Sequence, residues 1–387
     1  MSGLFALDGV MRPYAWGSRT ATPELLGIEP TGEPAAELWF GAHPDDPSRV
    51  LDRGQPLDRL IAADPVGLLG PAVAGRFDGQ LPFLLKVLAA DKALSIQVHP
   101  DLSQARAGYA DEEARGVPRS SPERNYKDPN HKPELLCALT EFDALCGFRP
   151  VARTLALVDA LNVAELAPYR ALLAGPDGLR AAFTALLTLD DPKPLVEAVV
   201  AGAARLDSGP WAAAARATRM AAGDFPGDVG AVLALLLNTV RLRPGEAIFL
   251  GAGNVHAYLR GVGVEIMANS DNVLRCGLTP KHVDVPGLLR ITDFSELADP
   301  IWPPVEGRFA VPVPDFALSV FDPDGSVAVG DTGPAIVLCV DGGVRVEAFG
   351  SAVDLERGRA AFVGARDGAF VVRGTGRVFL ATVGLET

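Results

Sequence analysis

The pattern of apolar and polar positions changes twice along the 387-residue chain, and each change marks a change in the predicted elements. Residues 1–149 contain short apolar runs that proline and glycine often interrupt. Two of these runs, FLLKVLAA (83–90) and ALSIQVHP (93–100), have the length of strands. The interval 101–131 has little periodicity, which indicates a loop with a short helix. The first region is therefore predicted to consist mostly of short strands and turns.

Residues 150–240 are rich in alanine and leucine, and their apolar positions recur with helical spacing. The breaks GPDG (175–178) and DDPKP (190–194) separate the segments, which predicts several helices. This region contains neither histidine nor cysteine. We therefore expect a structural wall or lid and not the location of the chemistry.

Residues 241–387 return to strand-length runs, with turn signals at Asp341-Gly342-Gly343 and Asp367-Gly368. The last runs predict a small antiparallel barrel or jelly roll. No histidine follows His282, so this final part lacks imidazoles for a metal site. The pattern as a whole predicts a mainly β protein with a helical insert.

Charge and composition exclude several classes of partner and location for the protein. The chain has 35 basic and 48 acidic residues, a formal net charge of −13, which argues against nucleic acid or an anionic membrane as partner. The most apolar stretch, 231–240, is too short to span a bilayer. The N-terminal sequence does not have the pattern of a signal peptide, and the four cysteines form no C-x-x-C pair. A cytoplasmic protein with free thiols is predicted.

The segment LSIQVHPD (94–101) places polar side chains on one face of a predicted strand. Alternation puts Ser95, Gln97 and His99 opposite the apolar residues. Polar groups directed together into a barrel interior must be satisfied by a partner. The pattern therefore marks this face as a candidate site.

Two further segments show the same feature. In NVHAYL (254–259), His256 and Tyr258 lie on the polar face of an alternating strand. In NHKPELLCAL (130–139), Lys132 and Glu134 share a face at the edge of a very apolar run. Each segment thus contributes polar side chains that a strand could direct into the same interior.

Gln97, His99, Glu134 and His256 together form a candidate set of nitrogen and oxygen metal ligands. Two neutral imidazoles, one carboxylate and one amide oxygen leave a divalent ion with net positive charge, so that it remains a Lewis acid. Sequence spacing by itself also allows each of the four to be an ordinary core polar residue with its own hydrogen-bond partner.

The chain resembles the type I mannose-6-phosphate isomerase (phosphomannose isomerase) family along most of its length. The matching segments are YAWGS (14–18), AELWFGAHP (36–44), LPFLLKVL (81–88), ALSIQVHPD (93–101), NYKDPNHKPEL (125–135), ALCGFRP (144–150), GNVHAYL (253–259) and NSDNVLRCGLTPKHVD (269–284). The resemblance implies one zinc ion per chain, held by the four candidate ligands, and an active-site role for Arg275.

The resemblance also implies an architecture. It comprises a catalytic jelly-roll (cupin) domain at 1–149 plus 241–305, an all-α insert at 150–240, and a metal-free C-terminal jelly roll at 306–387. The implied reaction interconverts mannose 6-phosphate and fructose 6-phosphate through an enediolate. The expected partner is a small sugar phosphate, and the expected state is a monomer.

Isomerisation needs proton transfer between two carbons and stabilisation of the enediolate. The guanidinium of Arg275 is a poor base, which assigns it to charge stabilisation or substrate positioning. The further candidates for acid–base or substrate-binding roles are Lys86, Lys132, Tyr258, Glu265, Asp271 and Lys281. A zinc-bound water is an alternative group for the proton transfer. Glu265 could equally be a salt-bridged residue, Tyr258 a barrel aromatic and Lys281 a solvated surface residue. His43, His131 and His282 are interpreted as structural, although His131 adjoins Lys132 and could enter the site.

Two other functions use the same residues. A cupin-type oxygenase would require a redox-active iron with open cis positions. A non-catalytic protein would bind the sugar phosphate without converting it. The basic residues around the site argue against the first alternative, and the complete ligand set with Arg275 argues against the second.

Overall fold

The structure is a computed structural model that describes residues 2–330 and 333–385. Within these ranges the strands form two antiparallel sheets, and the chain is mostly β with a substantial helical part. The strands of the sheet that includes the candidate residues are β2 (Val10–Arg12), β3 (Glu37–Gly41), β6 (Phe83–Ala90), β7 (Ile96–Val98), β8 (Glu134–Ala138), β9 (Phe142–Phe148), β10 (Leu237–Leu242), β11 (Ala247–Leu250), β12 (His256–Ala268) and β13 (Leu274–Gly277).

The second sheet brings the two ends of the chain together. Its strands are β1 (Leu4–Asp8), β4 (Arg49–Val50), β5 (Gln55–Pro56), β14 (Arg308–Phe309), β15 (Ala317–Phe321), β16 (Gly325–Val329), β17 (Ala335–Ala348), β18 (Ser351–Glu356), β19 (Ala360–Val363) and β20 (Phe370–Thr382). Strand β1 pairs with β19, with Leu4 opposite Val363. Three strands from the predicted catalytic region therefore belong to the C-terminal sheet.

Strand β6 occupies the middle of the first sheet, between β3 and β12. All eight of its residues are buried, because both faces of the strand are covered. Strand β12 is the longest in this sheet and pairs in turn with β7, β9, β8 and β6. A register shift between Tyr258 and Arg260 marks an irregularity along it. This one strand thus contacts every strand that carries a candidate metal ligand.

Helices occupy most of the interval between β9 and β10, where the sequence predicts them. They are α6 (Val151–Leu161), α7 (Ala167–Leu173), α8 (Gly178–Leu187), α9 (Lys193–Ala203), α10 (Ala212–Asp224) and α11 (Gly230–Leu233). Because β9 and β10 pair directly, the chain leaves the sheet at Phe148 and returns to the neighbouring position at Leu237. The apolar side chains of these helices share a core with residues of β7, β9 and β13.

Short helices in the first region are a difference from the sequence prediction of strands and turns. They are α1 (Ala21–Leu26), α2 (Leu57–Ala63), α3 (Pro65–Leu69) and α4 (Pro71–Arg76). Each is too short to show a helical period, and α3 and α4 begin with proline, which suits the first helical turn. Helix α5 (Leu102–Ala114) lies in the predicted loop-and-helix interval and begins at an Asp101–Gln104 capping box.

The last helix, α12 (Val285–Ile291), follows β13 and packs near it. None of the helices in the described part of the chain is long and apolar enough to cross a membrane. The four cysteines are all buried and unpaired.

Candidate metal centre

Strand register places three candidate residues side by side. Gln97 in β7 lies opposite His256 of β12 on one side and opposite Arg275 of β13 on the other. Residues directly opposite each other in an antiparallel pair project to the same face. His99 follows Gln97 by two residues and returns to that face. The polar face that alternation predicts in two separate segments is therefore one surface.

Glu134 joins this surface from the start of β8. Its Oε1 lies 3.4 Å from Nε2 of His99, and its Oε2 lies 3.4 Å from Nε2 of His256. All three side chains are buried, and their ligand-type atoms lie within 4.8 Å of one another. We refer to these three residues as the His–Glu–His cluster. Gln97 borders the cluster, with its Nε2 3.3 Å from Nε2 of His256.

The two imidazoles are oriented by backbone carbonyl groups. Nδ1 of His99 lies 2.7 Å from the carbonyl oxygen of Asn272, and Nδ1 of His256 lies 3.0 Å from that of Asn254. A carbonyl oxygen only accepts, so each Nδ1 is the nitrogen that donates. In a neutral imidazole the lone pair then belongs to Nε2, the atom that faces Glu134. This is the orientation that a metal-binding histidine requires.

Buried atoms without partners support a cation site at this position. Nε2 of His99 and Oε2 of Glu134 are both buried and have no hydrogen-bond partner among the described residues. Such groups are costly to bury unless something compensates them. Two imidazole nitrogens and a carboxylate form a donor set that suits zinc. The residues present therefore fit the metal that the resemblance implies.

Protonation states in the cluster suit metal binding. Burial lowers the pKa of His99 to about 4, and the neighbouring ammonium of Lys132 acts in the same direction. Burial by itself would raise the pKa of Glu134. The ammonium of Lys132, whose Nζ lies 3.0 Å from Oε1, helps to outweigh the effect of burial, and the pKa of Glu134 stays well below its usual range. At neutral pH the imidazole of His99 is thus neutral and the carboxyl is ionised, as ligands must be.

A second buried network adjoins the cluster on β3, β6 and β12. Nζ of Lys86 lies 2.5 Å from Oε2 of Glu265 and 3.3 Å from Oε1 of Glu37. The hydroxyl of Tyr258 donates to Oε1 of Glu265 at 2.5 Å. Glu37 also accepts from the indole of Trp39 at 2.6 Å. The two candidate residues Lys86 and Glu265 thus face each other across paired strands.

Burial and charge set the pKa values in this network. Burial opposes the charge of Lys86, but Glu265 and Glu37 together raise its pKa above the usual value, so it remains an ammonium. Burial raises the pKa of Tyr258 well above its usual value and keeps the phenol neutral. Burial also raises the pKa of Glu265, with Lys86 acting against it.

Arg275 is partly buried, and burial lowers the pKa of its guanidinium. No carboxylate of the described residues lies within ion-pair distance of this side chain. An unneutralised guanidinium beside Gln97 is available to a negatively charged ligand. Lys281 is exposed, and partial desolvation and Arg275 both lower its pKa.

The structure separates Asp271 from the cluster. Its Oδ1 lies 3.9 Å from Nε2 of His43 and its Oδ2 lies 3.7 Å from the guanidinium of Arg119. Asp271, His43 and His131 line a separate cavity of about 550 Å³ that none of the cluster residues borders. His131 pairs with Asp315, and His282 is exposed. The structural interpretation of the three histidines stays a prediction.

The sequence patterns do not single out two residues of these networks, Glu37 and Asn272. Glu37 begins the fully buried run ELWFG of β3. A carboxylate at the start of such an apolar run indicates a buried ion pair or hydrogen bond, and this pattern could have identified it. The side chain of Asn272 is fully buried and bonds to a distant loop, which no local pattern reveals.

The two antiparallel sheets and the His–Glu–His cluster define the class, a β-sheet protein with a buried group of side chains that could hold a metal ion. Residues 4–151 match the family described as phosphomannose isomerase type I, catalytic domain. The mannose-6-phosphate isomerase of Escherichia coli (strain K12) is 42% identical, covering 94% of this chain and 96% of the relative. The Bos taurus enzyme is 33% identical, with 94% of each chain covered. The chain belongs to the mannose-6-phosphate isomerase family.

Solved structures agree with this membership. Mannose 6-phosphate isomerase from Salmonella typhimurium, bound to its substrate fructose 6-phosphate and to zinc, is 38% identical with a TM-score of 0.91. The alignment covers 99% of this chain and 100% of that one. A mannose 6-phosphate isomerase bound with zinc and yttrium is 39% identical, has a TM-score of 0.92 and gives the same coverage.

Proposed function

We propose that the protein interconverts mannose 6-phosphate and fructose 6-phosphate at a zinc site, by proton transfer through an enediolate. The observation that carries this proposal is the His–Glu–His cluster, in which Nε2 of His99 and Oε2 of Glu134 are buried without a hydrogen-bond partner among the described residues. The shared ancestry with mannose-6-phosphate isomerases supplies the reaction. One zinc ion per chain would be held by Gln97, His99, Glu134 and His256.

A bound zinc ion supplies a Lewis acid for the oxygens of the sugar. The residues of the chain would supply charge stabilisation, phosphate binding and proton transfer. Arg275 lies in register with Gln97, and its unpaired positive charge would stabilise the enediolate. Lys132, whose ammonium lies beside Glu134, adds a second positive charge at the same face. Lys281 would contribute to binding the phosphate from the exposed side.

Proton transfer needs a group whose pKa lies near the working pH. We favour Glu265 among the buried candidates, since burial raises the pKa of its carboxyl from the usual value toward that range. Lys86 would hold this carboxyl in place as a permanent ammonium, and Tyr258 would do so as a neutral donor. Asp271 is assigned to the neighbouring loop and not to the proton transfer, because it contacts His43 and Arg119 instead of the cluster.

The finer architecture is part of the same proposal. We assign the strands around the cluster to a cupin-type jelly roll and the helices between β9 and β10 to an inserted all-α domain. We assign the C-terminal sheet, to which β1, β4 and β5 also belong, to a metal-free jelly roll. The direct pairing of β9 with β10 supports an insertion. We expect a monomer, and the four unpaired thiols fit a reducing cytoplasm.

A coupled isomerase assay tests the function. Purified protein should convert mannose 6-phosphate, lose activity in a metal chelator, and regain it when zinc is added. Binding of the sugar phosphate without conversion would favour the non-catalytic alternative. Bound iron together with oxygen uptake would favour the oxygenase. Full activity after complete metal removal would refute the zinc site.

A further inference from the structure

The side chain of Asn272 holds a loop that lies far from it in sequence. It is fully buried in the turn between β12 and β13. Its Oδ1 accepts from the backbone N–H of Lys127 at 2.7 Å and of Asp128 at 3.3 Å. Its Nδ2 donates to the carbonyl oxygen of Asp128 at 2.7 Å and of Asn130 at 2.8 Å. One amide thus satisfies backbone groups along 127–130.

The backbone of the same residue holds a metal ligand. The carbonyl oxygen of Asn272 accepts from Nδ1 of His99 at 2.7 Å. The loop fixed by the side chain leads, within four residues of Asn130, to Glu134 at the start of β8. Asn272 therefore lies between two members of the His–Glu–His cluster that come from different strands.

We propose that Asn272 is a positioning residue for the metal centre, which sets the mutual placement of His99 and the segment that carries Glu134. This inference rests on the proposed zinc site. A carbonyl acceptor on Nδ1 fixes the tautomer and the ring orientation of a ligating histidine. If the side chain of Asn272 lost its loop contacts, its carbonyl oxygen would shift, and the imidazole would shift with it.

Only an amide satisfies this arrangement. Oδ1 meets two donors, whereas Nδ2 meets two carbonyl oxygens, so the position needs an acceptor and a donor at opposite ends of one planar group. An aspartate keeps the shape but replaces the donor end with a carboxylate oxygen that faces carbonyl oxygens. The substitution Asn272→Asp therefore disrupts the contacts with little change of volume.

The zinc dissociation constant is the main measurement, made by competition with a chromophoric chelator. Asn272→Asp should raise this Kd by about 10–100-fold, the usual loss when a group that orients a ligand is removed. The visible spectrum of the cobalt-substituted protein should also change, since it reports the geometry of the ligands. With saturating zinc, kcat should fall more than KM rises, because ligand geometry and not substrate contact is altered.

Asn238 provides a matched control. It is nearly buried, and its Nδ2 also donates to several backbone carbonyl groups, those of Cys146, Phe148 and Leu297 among them. None of these hydrogen bonds goes to His99, Glu134 or His256. Asn238→Asp should lower the melting temperature as Asn272→Asp does, but it should leave the zinc Kd and the cobalt spectrum unchanged. Equal changes in both variants would indicate a general structural effect and overturn the inference.

A milder variant tests the positioning role of Asn272 if Asn272→Asp does not fold. Oγ of Ser270 accepts from the N–H of Asn272 at 3.2 Å and donates to the carbonyl of Asn130 at 3.2 Å. Ser270→Ala should therefore raise the zinc Kd by a smaller factor. An unchanged zinc Kd in every folded variant overturns the role of Asn272 alone. Wild-type protein that binds no zinc overturns the proposed function and this inference together.

Discussion

Removal of the buried ammonium of Lys86 should destabilise the protein strongly and in a pH-dependent way. Nζ lies 2.5 Å from Glu265 and 3.3 Å from Glu37, and all three residues are buried. At an effective dielectric constant of about 20, these distances correspond to attractions of roughly 7 and 5 kcal/mol. The cost of desolvating the ammonium offsets much of this sum. Loss of one partner of a buried ion pair costs about 3–5 kcal/mol, and we expect that range for Lys86→Met.

The direction of the pH dependence follows from the carboxyl groups left behind. Burial already raises the pKa of Glu265, and Lys86 opposes that rise. Without the ammonium, the pKa of Glu265 in the folded state rises further above its value in the unfolded chain. A group with a raised folded pKa binds its proton more tightly in the folded state, so the variant loses stability as pH rises through that range. The deficit relative to wild type should be smaller near pH 5 than near pH 8.

Urea unfolding of the zinc-loaded protein at the two pH values measures the effect, with midpoint and slope both recorded. The control is Lys92→Met, which removes an exposed ammonium and should change the free energy of unfolding by less than about 0.5 kcal/mol. A loss of stability in Lys86→Met no larger than that in the control would contradict this expectation. An equal loss of stability at both pH values would contradict it as well, since the remaining carboxylates would then be compensated in another way.

Three further changes test the site. His256→Ala should abolish stoichiometric zinc binding and isomerase activity together, and elemental analysis that finds full zinc would contradict the ligand set. Arg275→Ala should lower kcat and kcat/KM by similar factors of roughly 10²–10³, with normal zinc content. Arg275→Lys should recover only part of the lost activity. A raised KM with unchanged kcat would instead assign Arg275 to phosphate binding. Tyr258→Phe leaves Oε1 of Glu265 without its donor and should cost about 1–3 kcal/mol in thermal unfolding, whereas an unchanged melting temperature would mean that Glu265 has found another donor.

The prediction of strand faces succeeded where local alternation was regular. Gln97 and His99 alternate with buried apolar residues, and a period of two assigns them to one face without any tertiary information. The same logic marked His256 and placed Lys132 beside Glu134, in agreement with their 3.0 Å contact. It did not indicate that the chain enters the second sheet at β1, because strand pairing depends on partners more than 350 residues away.

Strand alternation was enough to propose Gln97, His99, Glu134 and His256 as candidate metal ligands, since alternation is a property of the linear sequence. Only the tertiary structure decided that Gln97 lies between His256 and Arg275, that Lys86 is held by Glu37 as well as Glu265, and that Asn272 joins the 127–130 loop to His99. Distances between strands depend on register and on which segments pair. These are set by packing of the whole chain, so no local pattern could supply them.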